Sequence, residues 1–482
     1  QHPQIEIVFL VDQFSRTRGV SGRRLATMPA DKKTLVPIWL TQEVVLCAVA
    51  KMAMSYNVIC IDLTLDIMAD IYDETDSQED VVSVALIAGM IIGQLGLGFL
   101  GDIIGRTKAL LITLCLAIFG SLGSTLLSFD PDPFIWIAVW RFFMGIGCGG
   151  VYPLAATIAK ESVEDKELQG TAVSFVFSMQ GIGYILSPAI TLLICSTVSD
   201  KNLQWRLVLG AGAVLLLAVA WVFYWLPPRA RPNKLLDAAQ SSGAGQGLAH
   251  LWQLARTPEY VRMLLGTAGC WFLFDFVFYG NTIFQSVVLD DVFGGSESTE
   301  DLAAESLVVY AVALPGYYTA VALMSRLGPK FIQLQGFSMM AFLFVFIGVA
   351  WGFLSNYSVV LFLLYCGTYF FSNFGPNSTS FILPSLTFPA DVRSSFNGFA
   401  AASGKTGALL GSCLFDPMSS WIGTDNTLIV CGAVALAGLL LTAFFVDAAE
   451  LERKSMTDGL SQDLISNAQG TAADADREQE NV

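Results

Sequence analysis

Charge is scarce in this chain. Lys, Arg, Asp and Glu make up 14% of its 482 residues and hydrophobic residues 54%, whereas soluble domains carry about 25% charged residues. Such a chain is solvated mostly by lipid. Basic residues number 26 against 41 acidic ones, for a net charge of -15. No basic stripe with interleaved aromatics occurs, which excludes nucleic acid as a partner. Histidine is scarcer still: His2 and His250 both lie outside the apolar runs, so a histidine proton relay inside a membrane is excluded. The nine cysteines show no CxxC or Cys/His spacing. Buried small hydrophobes are therefore expected rather than disulfides or metal ligands. The chain opens on Gln1, and residues 1–36, polar and basic with Arg16, Arg18, Arg23, Arg24, Lys32 and Lys33, lack a signal-peptide apolar core. There is no nucleophile–base pair and no cofactor loop, so neither an enzyme nor a resident cofactor is expected.

Apolar runs are what the chain has instead. They fall at 42–68, 82–101, 108–129, 134–159, 168–196 and 205–227, then at 261–289, 303–325, 331–354, 357–384, 396–420 and 427–447. Each is near the ~20 residues that span hydrocarbon as a helix. The pattern predicts an all-α membrane protein with twelve transmembrane helices in two six-helix bundles. The expected division is a lead-in over 1–40, bundles over 41–228 and 261–447, a polar linker over 229–260 containing SSGAGQG, and an acidic, disordered tail over 448–482. Alternate loops carry the basic residues Arg106, Lys108, Lys160, Lys166, Arg229, Arg231, Lys234, Arg326, Lys330 and Arg393, whereas the others carry little beyond Lys201 and several acids. The positive-inside rule then puts both termini and the linker in the cytoplasm, and the plasma membrane is the expected location.

The seventh run, GTAGCWFLFDFVFYGNTIFQ over 266–285, carries one carboxylate, Asp275. On a helix Trp271, Asp275 and Tyr279 stand at i, i+4 and i+8 and share a face. A charge at the centre of a membrane helix costs at least ~2.5–3.5 kcal/mol, so such an acid marks a functional site by default. An indole N–H, a carboxylate and a phenol on one stripe suit the wall of a small polar cavity. Gln180 lies inside the fifth run, Tyr152 closes the glycine run of the fourth, Asn377 follows the helix break at Pro376, and Lys405 sits in a small-residue helix. The glycines Gly145, Gly147, Gly149 and Gly150 read mostly as packing residues.

Between the second and third runs stands Gly98-x3-Asp102-x2-Gly105-Arg106. It resembles the loop signature of the major facilitator superfamily, whose two halves enclose a midplane site. Asp102 and Arg106 would form a latch that breaks as the halves rock, and Arg141 at the head of the fourth run joins the same gating set. Arg326-Leu-Gly328-Pro329-Lys330 is a degraded second copy. The stretches GTAGxWFLxDxxFYG, NFGPNxTxFxxPxxxFPAxxRSxxxG, ASGKxGA and GGxYPLxA closely resemble the phosphate:proton symporters of plants and fungi over roughly residues 80–450. The resemblance implies an inorganic phosphate site built from residues matching Tyr152, Gln180, Trp271, Asp275, Tyr279 and Asn377, with Lys405 beside it. The chemistry of these residues agrees: a carboxylate accepts from P–OH while Tyr, Trp, Gln and Asn donate to the anionic oxygens. Sulfate lacks a P–OH at neutral pH and would be repelled. Lys405 either offsets the anion's charge or pairs with Asp275.

The chain departs from that family where proton-handling acids are expected. Val151 replaces the acid before Tyr152, and Met54 and Asn57 replace the two acids of the first helix. Asp275 remains as an ion-coupling candidate. Asp62 is a second, standing in for a lost acid or helping to hold sodium, because it lies eleven residues from Lys51 and so on nearly the same helix face. The favoured alternative has Lys51 snorkelling to the interface and Asp62 and Asp66 reaching the outer one. Weak or altered proton dependence is expected, with a proton or sodium as the co-transported ion. Two other functions stay open: transport of an organic phosphate or other organic anion, and a non-transporting phosphate sensor.

Overall fold

The computed structural model describes residues 37–72, 76–129, 132–225, 244–278 and 298–447, and the described residues hold no strand. The chain from Trp39 forms one compact unit. Its helices are α1 Gln42–Ala69, α2 Asp76–Ile104, α3 Arg106–Leu126, α4 Pro133–Ser162, α5 Lys166–Thr197 and α6 Lys201–Trp225. After them come α7 Ala244–Ala255, α8 Pro258–Phe278, α9 Thr299–Val349, the single turn α10 Trp351–Leu354, α11 Ser358–Asn373, α12 Pro376–Thr387 and α13 Arg393–Phe445.

Polar side chains start several of these helices by accepting from first-turn N–H groups that lack an intrahelical partner. Thr41 caps α1 at Val44 N (3.2 Å), Asp132 caps α4 at Phe134 N (3.2 Å) and Asp165 caps α5 at Glu167 N (3.0 Å). Among the described residues ten helices are long and apolar enough to cross a membrane. Two helical stretches are far longer than a bilayer requires: α9 has 51 residues and α13 has 53, roughly 75–80 Å each at 1.5 Å per residue. Each contains one non-helical glycine, Gly328 with φ 75° and Gly423 with φ 88°. Dividing α9 and α13 at these breaks gives the twelve predicted membrane arms.

Gly328 has a counterpart in Gly105, with φ 96°, between α2 and α3. Both glycines of the repeated loop signature thus adopt a left-handed backbone that residues with a Cβ avoid. The tenth run is not continuous: α11 ends at Asn373 and α12 begins at Pro376, because Pro376 cannot continue the ladder of the preceding helix.

Within the first part of the chain α4 packs on α2 and α3, and α1 on α5 and α6. Within the second, α9 packs on α11 and α13. Two seams join them, α5 against α9 and α2 against α13. The linker differs from the sequence expectation, for its second half folds as α7. Leu251, Leu254 and Ala255 of that helix pack on Met263, Phe388, Val392 and Phe396. The glycine and serine run before α7 hides that amphipathic pattern.

Candidate functional site

The site gathers around Tyr152 of α4. Immediately before the site residues of α8, Leu265–Gly269 makes a π turn, a local underwinding that recurs at functional positions. Two residues beyond it stands Trp271, whose ring centroid lies 6.1 Å from that of Tyr152. Gly404 of α13 admits the indole, since a Cβ at that position would fall 2.4 Å from Trp271 Cδ1. The next residue, Lys405, donates from Nζ to Asp275 Oδ2 at 3.1 Å, with both side chains buried. Of the two roles open to Lys405 in the sequence, this arrangement displays the pairing with Asp275.

A hydrogen-bond chain runs from Tyr152 across the seam. Tyr152 donates to Gln180 Oε1 (3.4 Å), and Gln180 Nε2 donates to the Tyr317 hydroxyl (3.3 Å). Asn377 Nδ2 donates to the same hydroxyl at 3.0 Å and to Asn373 Oδ1 at 2.7 Å. Asn373 in turn donates to Ala313 O at 3.0 Å. The structure therefore brings Tyr152, Gln180, Trp271, Asp275, Asn377 and Lys405 together. It adds Tyr317 and Asn373, which sequence reasoning missed. Tyr317 gave no distinguishing signal, being one of a Tyr317–Tyr318 pair in a helix rich in aliphatic residues. Tyr279 lies outside the described residues.

Lys51 corrects the expectation of snorkelling. It is fully buried, and its Nζ sits 3.4 Å from the centroid of the Tyr152 ring, with Phe177 and Phe381 at 5.0 and 5.6 Å. Among the described residues no hydrogen-bond acceptor reaches that nitrogen. Asp62, by contrast, is exposed. The two positions share a helix face but differ in depth by roughly 16 Å along α1, so Asp62 does not join the central cluster.

The loop signature forms a second cluster. Asp102 pairs with Arg106 (3.1 Å) and also accepts from the N–H groups of Ser394 (3.3 Å) and Ser395 (2.7 Å) in the first turn of α13. A carboxylate there satisfies orphan donors at the positive end of the helix. Gly98 allows this approach, as a Cβ there would lie 2.7 Å from Ser394 O. Glu161, unnoticed in the sequence, bridges Arg106 (3.5 Å) and Arg393 (2.8 Å), while Arg106 also donates to Ala390 O. Arg141 does not belong to this latch. It lies twenty residues before Glu161 on the same helix, about 30 Å away along the axis, where it is buried and donates to Asn57 O.

The positions where family acids are missing are all buried and neutral. Asn57 donates to Gly212 O (2.9 Å) and accepts from Ser121 (2.9 Å), whereas Met54 and Val151 lie in the apolar core.

Comparison with known proteins fits this arrangement. The model of the Major Facilitator Superfamily matches residues 45–412. A probable inorganic phosphate transporter 1-6 of Arabidopsis thaliana is 32% identical over 461 residues, covering 80% of this chain and 87% of the plant protein. The inorganic phosphate transporter PT2 of Toxoplasma gondii is 30% identical over 439 residues, covering 89% of this chain and 76% of that protein. Among solved structures, the proton:xylose symporter XylE superposes with a TM-score of 0.69 at 17% identity, over 85% of this chain and 98% of that one. The fucose:proton symporter FucP of E. coli gives 0.67 at 14%, over 86% and 100%. These two likenesses speak to the fold alone. The chain is an integral, multi-pass membrane protein of the Major Facilitator Superfamily, in the group that holds the inorganic phosphate transporters.

Proposed function

We propose that this protein is a secondary transporter of inorganic phosphate that works by alternating access. The observation that carries the reading is the buried Lys405–Asp275 pair, 3.1 Å apart, beside Tyr152 and Trp271. An ion pair is costly to bury unless it has a use or further partners, and this one stands beside Tyr152, where the hydrogen-bond chain through Gln180, Tyr317 and Asn377 begins. Asp275 accepts from the P–OH of phosphate. Tyr152, Gln180, Trp271, Tyr279 and Asn377 donate to its oxygens, and Lys405 turns from Asp275 to the anion. The names of the relatives, inorganic phosphate transporters of plants and a protist, support the choice of ligand.

In this reading residues 41–228 and 261–447 are the two halves that rock about the site, joined by the linker 229–260. The lead-in 1–40 and the tail 448–482 lie in the cytoplasm, and the protein works in the plasma membrane. The cluster of Asp102, Arg106, Glu161 and Arg393 holds the halves together at one end and releases when that end opens. Of the acids expected for proton handling only Asp275 is retained, so proton dependence is weak or altered.

Labelled phosphate uptake into proteoliposomes, under an imposed proton gradient, a sodium gradient or neither, tests this. Saturable uptake by the parent protein that Asp275→Asn abolishes is expected. No uptake under any gradient would overturn the function, and wild-type uptake by Asp275→Asn would overturn the site.

A further inference from the structure

We propose that Lys51 is a ligand of the transported anion, and that it makes the carrier cross the membrane faster loaded than empty. The inference rests on the phosphate reading above and adds a residue and a mode of operation to it.

Lys51 comes from α1, opposite the helices that supply Asp275 and Lys405. Its side chain is 0% exposed, its Nζ has no hydrogen-bond acceptor among the described residues, and around it stand the π face of Tyr152 at 3.4 Å with Phe177 and Phe381 beyond. Lys405 Nζ lies 5.9 Å from the centroid of the same tyrosine ring, and Asp275 is bound to it. Both groups are close enough to Lys51 to act on it electrostatically. The cluster thus holds two lysines against one carboxylate. Among the described residues no further carboxylate redresses the balance: α1 contributes Met54 and Asn57, α4 contributes Cys148, Val151 and Tyr152, α5 contributes Phe177 and Gln180, and α12 contributes Asn377 and Phe381. With both lysines protonated, the described residues of the site carry one net positive charge, which a phosphate monoanion cancels.

An aromatic face attracts a cation, but it supplies neither a counter-charge nor a lone pair for the three N–H donors of an ammonium. A tetrahedral oxyanion between Lys51 and Lys405 supplies both. The consequence is kinetic. With phosphate bound, both ammonium groups face anionic oxygens while the halves close around the site. Without it, Lys51 must either keep its charge against the aromatic rings or release its proton to water as the halves close, and either course is costly. The return step is therefore fastest when a second anion rides back, and phosphate exchange outruns net flux.

The test compares the parent, Lys51→Met and Lys51→Arg in two measurements: equilibrium binding of inorganic phosphate to the purified protein, and the ratio of phosphate–phosphate exchange to net efflux from proteoliposomes. The ratio is internal to each preparation, so a loss of folded protein does not move it. Exchange by the parent should exceed net efflux by about tenfold, equivalent to about 1.4 kcal/mol between loaded and unloaded crossing. Lys51→Met should weaken phosphate binding about tenfold and bring the ratio towards one, while Lys51→Arg keeps both near the parent values. Parent-like binding and an unchanged ratio in Lys51→Met would overturn this inference and leave the phosphate reading standing. Failure of the parent itself to bind phosphate would overturn both.

Discussion

The three charges around Tyr152 make unequal demands on stability, and their order can be worked out. Replacing Asp275 by Asn leaves Lys405 buried without its partner 3.1 Å away. Breaking one side of a buried pair costs about 3–5 kcal/mol. It also leaves Lys51 and Lys405 around one ring with no carboxylate between them. Replacing Lys51 by Met has the opposite sign. It removes an ammonium that costs ~2.5–3.5 kcal/mol at membrane depth, while forfeiting a desolvated cation–π contact worth about 2 kcal/mol. The net is a gain of about 1 kcal/mol. The double variant Asp275→Asn/Lys51→Met carries one unneutralised ammonium instead of two and should recover part of the loss. Melting of the purified protein in lipid nanodiscs, followed by tryptophan fluorescence, should rank Lys51→Met at or above the parent, then the double variant, then Asp275→Asn. A Lys51→Met variant destabilised by several kcal/mol would refute the reasoning, because it would mean that Lys51 has a counter-charge in the folded protein. Equal melting of Asp275→Asn and the double variant would refute the electrostatic link between them.

Three further outcomes follow from the same geometry. Tyr317→Phe deletes the hydroxyl that accepts from Gln180 and Asn377; two buried amide donors lose an acceptor at about 1–3 kcal/mol each, so the melting temperature of the purified, phosphate-free protein should fall. Gly404→Val drives a side chain into the Trp271 indole, where even a Cβ would stand at 2.4 Å, so the fluorescence of Trp271 should shift and phosphate affinity drop, whereas Gly352→Val, with nothing within 4 Å, should leave both unchanged. Asp102→Ala removes the acceptor of two α13 N–H groups and of the Ser395 hydroxyl. Losing a helix cap costs about 0.5–2 kcal/mol, enough to raise the population open at that end about two- to thirtyfold, which spin-label distances across the α2–α13 seam would report.

Membrane helices are legible because their cause is local: a run of apolar residues bounded by caps such as Thr41, Asp132 and Asp165 fixes each span to within a few residues. Trp271 and Asp275 were legible for a similar reason, since a carboxylate in an apolar helix announces itself and helical spacing gives its companions. Where two distant helices had to be related, sequence failed. Lys51 and Asp62 share a face, but only the packed structure sets the depth that buries one beneath Tyr152 and leaves the other exposed. Arg141 stands beside the glycine run in sequence, yet the length of α4 carries it to the far end from Glu161. Glu161 reads as an ordinary acid at a helix end until Arg393, more than two hundred residues later, arrives beside it. Tyr317 is one aromatic among many; its hydroxyl acquires meaning only where Gln180 and Asn377 converge on it.

Asp275 as the group that reads the P–OH of phosphate is the central claim, and equilibrium competition between phosphate and sulfate tests it most directly. The purified parent protein should bind labelled phosphate and ignore sulfate, because sulfate offers Asp275 no proton and places a full charge against it. Asp275→Asn should lose phosphate affinity and, with an amide donor in place of the carboxylate, lose the preference over sulfate as well. An Asp275→Asn protein that still binds phosphate and still rejects sulfate would contradict the account.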